Sequence, residues 1–416
     1  MTPEPRRVVV TGMGAVSPVG NDCDSMFAGL VAGRSGVGRI TAYDPSAQDC
    51  QIAAEVKGFD PSAYLDAREI GRTGRYAHFA IAATQEALTQ ANLDPRRVPP
   101  DRLACLISTA IADSPMYEEQ AHRFYSVPRR SISPFTVPRV STSMAAGNVS
   151  MRFGVRGPSF GVSSACATGG HSLAMAWMMI RSGFADAVIA GGTESALSPG
   201  FVHSYRVMRL LALENEQPER ASRPFDLHRS GFVMGEGCGV FVLEALEHAA
   251  GRGAEILAEF AGVGLSSDAY HPTSGSPDGD GATRAILQAL ARAQLQPDHI
   301  DLVHAHATAT VLNDRIETLA LKRALGDRAR QIPVSGIKSM IGHCLAGAAP
   351  LGAIAGVQSI RQGVIPPTIN LDTPDPECDL DYVPHTARRQ PVRAALINSF
   401  AFGGQNCTLV FRRMEA

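Results

Sequence analysis

The sequence predicts an α/β protein. Strand-like apolar runs alternate with segments whose apolar residues recur at helical spacing, and turns of small residues separate them. Hydrophobic residues make up 45% of the 416 residues and charged residues only 19%, so the chain can bury a large core. This alternation is typical of folds in which helices cover the faces of a sheet.

The first part of the chain opens on an apolar strand that ends in Gly-Met-Gly. An amphipathic helix precedes the next strand, and a later strand leads into a turn of small residues before another helix. The predicted strands cover residues 8–11, 103–108, 159–163, 187–190 and 240–244, and the predicted helices 76–90, 167–182 and 245–251.

The second part follows the same order of elements. Its predicted segments are a strand at 256–264, a helix at 281–293, a strand at 302–305, a strand-to-helix turn at 334–345 whose helix runs on through residues 354 and 360, and strands at 394–399 and 407–412. Both parts run strand–helix–strand and close on a pair of strands. This order indicates a duplicated α/β unit, although no sequence repeat connects the two parts.

Charge and motif content argue against several classes of protein. The 38 basic and 40 acidic residues leave a net charge of -2, which disfavours a nucleic-acid or anionic-membrane surface. No apolar run reaches the length of a membrane span, and no signal peptide precedes the first strand, so we expect a cytoplasmic protein. The P-loop, HExxH and CxxC patterns are missing, and we predict no metal site.

Cys166 is the first candidate for chemistry, because it lies between an apolar strand and a helix that starts with small residues. A helix N-terminus lowers the pKa of a thiol and turns backbone N–H groups toward a developing oxyanion. The pattern therefore predicts an exposed, reactive thiol. The alternative is a buried structural cysteine at a helix start.

His304 and His306 end a predicted strand, and Thr308 and Thr310 follow at alternate positions. An imidazole beside two hydroxyls can present several hydrogen-bonding groups to one polar ligand. A structural histidine whose hydrogen bonds are satisfied in the core is the alternative.

Two further strand ends carry polar or flexible groups. Lys338, one of only three lysines, stands five residues before His343 in the turn at 334–345. The glycines of the loop at 400–406 allow backbone N–H groups to point at a ligand. Each segment is weak by itself, but four strand ends that offer a thiol, two imidazoles and an ammonium together indicate one site.

With these motifs the chain resembles the elongating β-ketoacyl-acyl carrier protein synthases, or ketosynthases, of the thiolase fold. The resemblance spans essentially the whole chain. Its most specific motifs are Ser164-Ala165-Cys166-Ala167-Thr168-Gly169, Gly191-Gly192-Thr193-Glu194, Arg223-Pro224-Phe225-Asp226, Gly235-Glu236-Gly237, and Lys338-Ser339 with Gly342-His343. It implies two similar α/β halves in a layered α-β-α-β-α core. Residues 1–254 would carry the nucleophilic cysteine, and residues 255–416 the two histidines and the glycine-rich gate loop.

The resemblance implies a decarboxylative Claisen condensation of an acyl thioester with malonyl-acyl carrier protein in fatty-acid or polyketide biosynthesis. Cys166 would take the acyl chain, while the backbone N–H groups of Cys166 and Phe402 hold the oxyanion. His306 and His343 would stabilise the enolate that forms as CO₂ leaves, and Lys338 would orient the site.

Binding roles and partners follow from the same resemblance. Thr308 and Thr310 match hydroxyls that bind phosphopantetheine, and the acyl pocket with its gate is matched by Ile111, Phe400 and Phe402. No dissociable cofactor is implied, because the acyl carrier protein brings its own phosphopantetheine arm. The chain would form a homodimer, or a heterodimer with a ketosynthase-like chain, in which segment 133–144 reaches the partner's pocket.

Four positions depart from the family's usual pattern. Ala307 and Ala309 flank Thr308 in a motif that usually reads His-Gly-Thr-x-Thr, and Ser230 replaces an aspartate before Gly-Phe. Ala401 stands where a glycine usually precedes Phe402, and its loss predicts altered gate opening because positive φ becomes costly. These departures favour a specialised biosynthetic ketosynthase over the housekeeping enzyme of fatty-acid synthesis.

Three alternatives fit less well. A chain-length-factor-like partner, which shapes the tunnel of a true ketosynthase, would lack the nucleophilic cysteine. A CoA-dependent thiolase would need a second cysteine in the loop at 400–406, whereas Cys407 lies just beyond it. A Cys–His hydrolase would leave the second histidine and Lys338 without a role.

Overall fold

The computed structural model describes residues 5–126 and 131–414. The strands are β1 (Val8–Val16), β2 (Gly38–Arg39), β3 (Ile52–Ala53), β4 (Leu103–Ser108), β5 (Ala187–Glu194), β6 (Gly237–Ala245), β7 (Ala258–Ser267), β8 (Leu302–His304), β9 (Val334–Ser335), β10 (Val364–Ile365), β11 (Arg388–Arg389), β12 (Ala394–Ala401) and β13 (Gln405–Arg412). The helices are α1 (Cys23–Val31), α2 (Ala67–Arg72), α3 (Arg75–Ala91), α4 (Ser114–Ser126), α5 (Thr136–Val140), α6 (Met144–Phe153), α7 (Thr168–Arg181), α8 (Pro199–Val207), α9 (Leu246–Gly251), α10 (Asp280–Ala293), α11 (Val311–Leu325), α12 (Lys338–Ile341) and α13 (Ala348–Gln362).

The large sheet contains the same strand arrangement twice. Its order is β4-β5-β6-β1 followed by β7-β13-β12-β8-β9. In the first half, β1 pairs antiparallel with β6, β6 pairs antiparallel with β5, and β5 pairs parallel with β4. In the second half, β7 pairs antiparallel with β13, β13 pairs antiparallel with β12, and β12 pairs parallel with β8. The α/β prediction is confirmed, and the duplication that the element order indicated is present in the topology.

The two halves meet along a short seam and share a central layer of helices. β1 pairs with β7 through Val9–Glu259 and Val10–Ala258. α3 covers β1 and β6, α10 covers β7 and β13, and α7 and α13 pack against each other between the halves. Every residue of α13 from Ala348 to Ile360 is buried, as expected of a helix that is apolar all round. The layers therefore run α-β-α-β-α.

One predicted element is wrong. Residues 159–163 form no strand, because the isolated bridge between Ser159 and Cys105 is not continued and the Val162 N–H donates to the Ser108 hydroxyl instead. The helix predicted beyond the turn at 334–345 is present as α13, but the helical course within the turn stops with α12 at Ile341. Gly342 interrupts it with a φ of 62°, a conformation that glycine adopts without strain. This break leaves His343 outside any helix.

The boundary after residue 254 stays a proposal for the division between the halves. None of the helices within residues 5–126 and 131–414 combines the length and apolar character that a bilayer crossing requires.

Candidate active site

Cys166 lies in a short 3₁₀ turn, Ala165–Ala167, directly before α7. Ala165 has a φ of 48°, which turns the chain sharply from the preceding extended segment into the helix. The Ser399 hydroxyl on β12 donates to the Cys166 carbonyl at 3.1 Å. The turn that presents the thiol is therefore built by the first half and anchored by the second.

The pKa of the Cys166 thiol is raised, not lowered as the helix start predicted. Burial raises it to about 11, while the Lys338 ammonium and the backbone N–H groups of Phe402 and Cys166 oppose the rise. The prediction of an exposed, low-pKa thiol is wrong because the residue is only 7% exposed and desolvation outweighs the favourable charges. The backbone N–H groups of Cys166 and Phe402, which are predicted to hold an oxyanion, are among the groups that oppose the rise.

His306 and His343 face each other beside this thiol. Their ring centroids are 5.5 Å apart and their planes stand at 85°. Burial lowers the pKa of both rings well below the usual range, and the Lys338 charge lowers both further, so both imidazoles are neutral. Nδ1 of His306 and both ring nitrogens of His343 have no hydrogen-bond partner among the described residues. Since a neutral imidazole carries one N–H donor, the pair can hold one anionic oxygen.

Two buried charges fix the backbone at His306. The Glu317 carboxylate on α11 accepts the N–H groups of His306 and Ala307, each at 2.8 Å, and the Asn398 amide at 3.1 Å. Lys338 donates through Nζ to the His306 carbonyl. Burial raises the pKa of Glu317 to about 7 and lowers that of Lys338. Lys338 therefore positions His306 rather than lining the cavity, and sequence reasoning missed Glu317.

Glu194 supports the equivalent strand end in the first half. Its carboxylate accepts the Thr109 hydroxyl at 2.6 Å and the N–H groups of Ala110 and Ile111 at 2.9 and 3.2 Å. Burial raises its pKa to about 7. These bonds hold Ile111 against Cys166 in a small apolar cluster. The resemblance included Glu194 in a motif, but nothing in the sequence revealed this contact.

A cavity of about 390 Å³ joins the functional groups. The predicted site residues that line it are Cys166, His306, His343, Thr308, Thr310, Phe400 and Phe402. Two predicted site residues do not line the cavity. Lys338 lies behind His306, and Ile111 packs beside Cys166. The hydroxyls of Thr308 and Thr310 are 3.0 Å apart and form one polar edge.

Arg229 holds the chain beyond this polar edge. Its guanidinium donates to the carbonyls of Thr310 and Val311 at 3.2 and 2.8 Å. It also pairs with the buried carboxylates of Asp375 at 2.8 Å and Asp314 at 3.4 Å. Sequence reasoning missed this network, which fixes the segment that carries both threonines.

The gate loop does not need a glycine at position 401. Ala401 ends β12 with a φ of -129°, whereas the positive φ values fall at Gly403 (76°) and Gly404 (67°). Position 401 therefore needs no positive φ in this conformation, and altered gate opening stays a prediction. The Gly404 carbonyl accepts the Asp268 N–H at 2.9 Å, and Asn406 donates to the Asp268 carboxylate at 2.6 Å.

The other two alanine departures do fall at strained positions. Ala307 and Ala309 have φ values of 46° and 65°. A Cβ built on Gly336 would approach the Ala307 Cβ to 3.1 Å, so the missing side chain of Gly336 makes room for Ala307. At both positions the chain therefore places alanine in a backbone region that favours glycine.

Comparisons with known proteins agree with this geometry. Family models described as the N-terminal and C-terminal domains of β-ketoacyl synthase match residues 5–249 and 257–372. The 3-oxoacyl-[acyl-carrier-protein] synthase 2 of Synechocystis sp. is 44% identical over 412 residues, which cover 99% of each chain.

Solved structures agree as well. The ishigamide ketosynthase/chain length factor is 34% identical with a TM-score of 0.92, over 99% of this chain and 100% of that chain. A type II polyketide synthase ketosynthase, solved with its acyl-carrier protein and bound to a hexaketide, is 35% identical with a TM-score of 0.90 at the same coverage. The layered thiolase-like fold that the resemblance implied is confirmed.

Proposed function

The chain belongs to the β-ketoacyl synthase family, and on this premise we propose how its residues share one condensation reaction. It is an acyltransferase of the 3-oxoacyl-acyl carrier protein synthase type, which forms carbon–carbon bonds. The observation that carries the assignment is the meeting of Cys166, His306 and His343 in one cavity.

The first step loads the acyl chain. The Cys166 thiolate attacks an acyl-carrier thioester, and the N–H groups of Cys166 and Phe402 stabilise the tetrahedral oxyanion. The pantetheine thiolate leaves and takes up the proton that the Cys166 thiol lost. Because burial disfavours the thiolate, conversion to a neutral thioester relieves the desolvation of that charge.

The second step activates the extender unit. Malonyl thioester loses CO₂, and the electron pair of the broken C–C bond moves into an enolate whose oxygen accepts N–H donors from His306 and His343. The enolate carbon attacks the acyl-Cys166 carbonyl. Cys166 leaves as the thiolate and is reprotonated, and the product is a β-ketoacyl thioester two carbons longer than the acyl donor.

The proposal also includes two protein partners, an acyl carrier protein and a second ketosynthase-like chain. Thr308 and Thr310 bind the phosphopantetheine arm of an acyl carrier protein, so no dissociable cofactor is needed. A second ketosynthase-like chain, identical or not, packs on this one, with segment 133–144 reaching its pocket. A cytoplasmic location fits a protein that shares its substrates with acyl carrier proteins.

The alternatives from the sequence gain no support at the site. Cys407 does not line the cavity and instead packs against α7, where a Cβ on Gly170 would lie 3.1 Å from its Sγ. A thiolase would therefore lack its second thiol. A chain-length-factor-like role does not account for a thiol at Cys166 in one cavity with His306 and His343.

Intact-protein mass spectrometry tests the proposal. The protein, alone and with candidate partner chains, is mixed with a panel of acyl-carrier thioesters, followed by malonyl-carrier. We expect an acyl adduct on wild type but not on Cys166→Ala, and then carrier-bound β-keto product two carbons longer. No adduct with any donor would overturn the proposal and favour the non-catalytic partner.

A further inference from the structure

Tyr205 lines the cavity but has no part in the steps above. It lies on α8, and its ring packs edge-on against Phe232 at 5.6 Å between centroids and 75° between planes. Phe232 in turn packs edge-on against His343 at 5.4 Å and 81°. Tyr205 is therefore held by aromatic packing at the end of a row that leads to a catalytic histidine.

The Tyr205 hydroxyl is a donor without a partner. No described residue forms a hydrogen bond with it. Burial raises the pKa of Tyr205 above its ordinary value, and negative charge at Cys166 raises it further, so the phenol stays protonated. Tyr205 and Cys166 also line the same cavity.

One side of the Cys166 sulfur is apolar, opposite to the polar groups described above. Ile111, Ala196, Leu345 and Ala401 pack with Cys166, and Phe400 lines the same cavity. In such surroundings a hydroxyl beside a plain hydrocarbon chain is desolvated without compensation. A keto or hydroxyl oxygen on the chain would accept its hydrogen bond. A site that can hydrogen-bond a substrate oxygen discriminates against the analogue that lacks it.

We propose that Tyr205 makes the enzyme selective for acyl chains that carry oxygen, such as keto or hydroxyl groups, over saturated chains of equal length. The phenol donates a hydrogen bond to an oxygen of the chain bound to Cys166. The inference rests on the proposed function, because it needs an acyl group on Cys166. It names the substrate class that the sequence left open.

The test compares acylation of Cys166 in wild type and Tyr205→Phe. The donors are octanoyl-carrier and the same chain with a hydroxyl at carbon 3, 5 or 7, the positions that polyketide extension leaves oxygenated. Wild type should load at least one oxygenated donor about tenfold faster than plain octanoyl, as one net hydrogen bond allows. Tyr205→Phe should lose that preference by slowing the oxygenated donor, with octanoyl unchanged or faster.

A control variant and the response of wild type separate the possible failures. Tyr43→Phe also removes a phenol hydroxyl, but one that bonds Gln48 away from the cavity, and should leave every rate unchanged. An unchanged preference in Tyr205→Phe, or an equal slowing of all donors, would overturn the proposal. If wild type acylates with no donor at all, the proposed function itself fails, and this inference fails with it.

Discussion

The two halves begin their central helices in the same way, yet only one of them carries a thiol there. In the first half Ala165, at a φ of 48°, opens a 3₁₀ turn that runs into α7. In the second half Leu345, at a φ of 45°, opens the 3₁₀ turn Leu345–Gly347, which runs into α13. Counted from these residues, Cys166 corresponds to Ala346.

The second turn supports the first. A Cβ on Gly169 would lie 2.2 Å from the Ala346 carbonyl oxygen, and a Cβ on Gly192 only 2.1 Å from it. The backbones therefore touch where side chains are absent. A duplicated framework has come to use one copy of the turn for chemistry and the other for packing.

The strand ends divide in a matching way. β4 leads to Ile111, which packs on Cys166, whereas β8 leads to His306. A buried carboxylate holds each of these ends, Glu194 in the first half and Glu317 in the second. We infer that the first half supplies the thiol that carries the acyl chain and the second half supplies the histidines that activate the extender.

Removing the first half's thiol should have the largest effect. Cys166→Ala should lower β-ketoacyl product formation by about 10³-fold or more, because loss of a covalent nucleophile removes the acyl intermediate. Product is measured by mass on the carrier protein. Cys378→Ala removes a buried thiol of the second half and should keep near wild-type turnover. Substantial turnover in Cys166→Ala would contradict the division.

Lys338 carries the influence of the second half to this thiol. Its positive charge lowers the pKa of Cys166, so Lys338→Met should raise that pKa further and leave less thiolate at any given pH. The rate of Cys166 alkylation by iodoacetamide is measured by intact-protein mass from pH 7 to 10. In Lys338→Met this rate should fall by about tenfold, the effect of raising the thiol pKa by one unit. Lys322→Met removes a lysine paired with Asp379 and should leave the profile in place. Identical profiles for all three proteins would refute the coupling.

The two buried carboxylates should make folding stability fall with pH. Glu194 and Glu317 have folded pKa values of about 7, above the ordinary 4.5, so the folded state holds protons that the unfolded state releases between these values. Their contribution is present below about pH 4.5 and is lost as pH rises toward 7. Glu194→Gln and Glu317→Gln do not titrate.

Melting temperatures of these variants test the linkage. As pH rises from 5 to 8, the melting temperature of each glutamine variant should increase by a few degrees relative to that of wild type. Glu247→Gln, an exposed acid on α9, should show no such trend. A difference in melting temperature between variant and wild type that stays constant from pH 5 to 8 would mean that the two carboxyls do not titrate in this range.

The smallest effect concerns backbone strain at the second half's strand end. Ala307→Gly should stabilise the fold by about 1 kcal/mol, because glycine adopts a φ of 46° without strain. Ala401→Gly, at a φ of -129°, should instead destabilise it by about 0.5–1 kcal/mol. Urea unfolding at one pH compares the two. If both substitutions stabilised the fold, or both destabilised it, the difference in backbone strain between positions 307 and 401 would not be supported.

Strand-end motifs made much of the site predictable. Cys166, His306 and His343 each stand at or just beyond the end of a strand or at a turn into a helix, and elements of this kind meet at one edge of the fold. The chain also signals its own turns, since small residues cluster before α7. These local signals were enough to anticipate one cavity.

Buried charges were not predictable in the same way. Glu194, Glu317 and Arg229 act through partners more than 70 residues away or through helix faces that packing decides. The pKa of Cys166 followed burial rather than the helix dipole, and burial is a property of the folded chain. The break at Gly342 depends on a single φ value.

The most direct test of this division measures the two half-reactions in two variants side by side. Cys166→Ala should form no acyl adduct but still release CO₂ from malonyl-carrier, because the histidines of the second half remain. His343→Ala should form the Cys166 adduct but release CO₂ about 10²-fold more slowly, as for loss of one oxyanion donor. If either single change removes both half-reactions in a folded protein, the halves do not divide the chemistry.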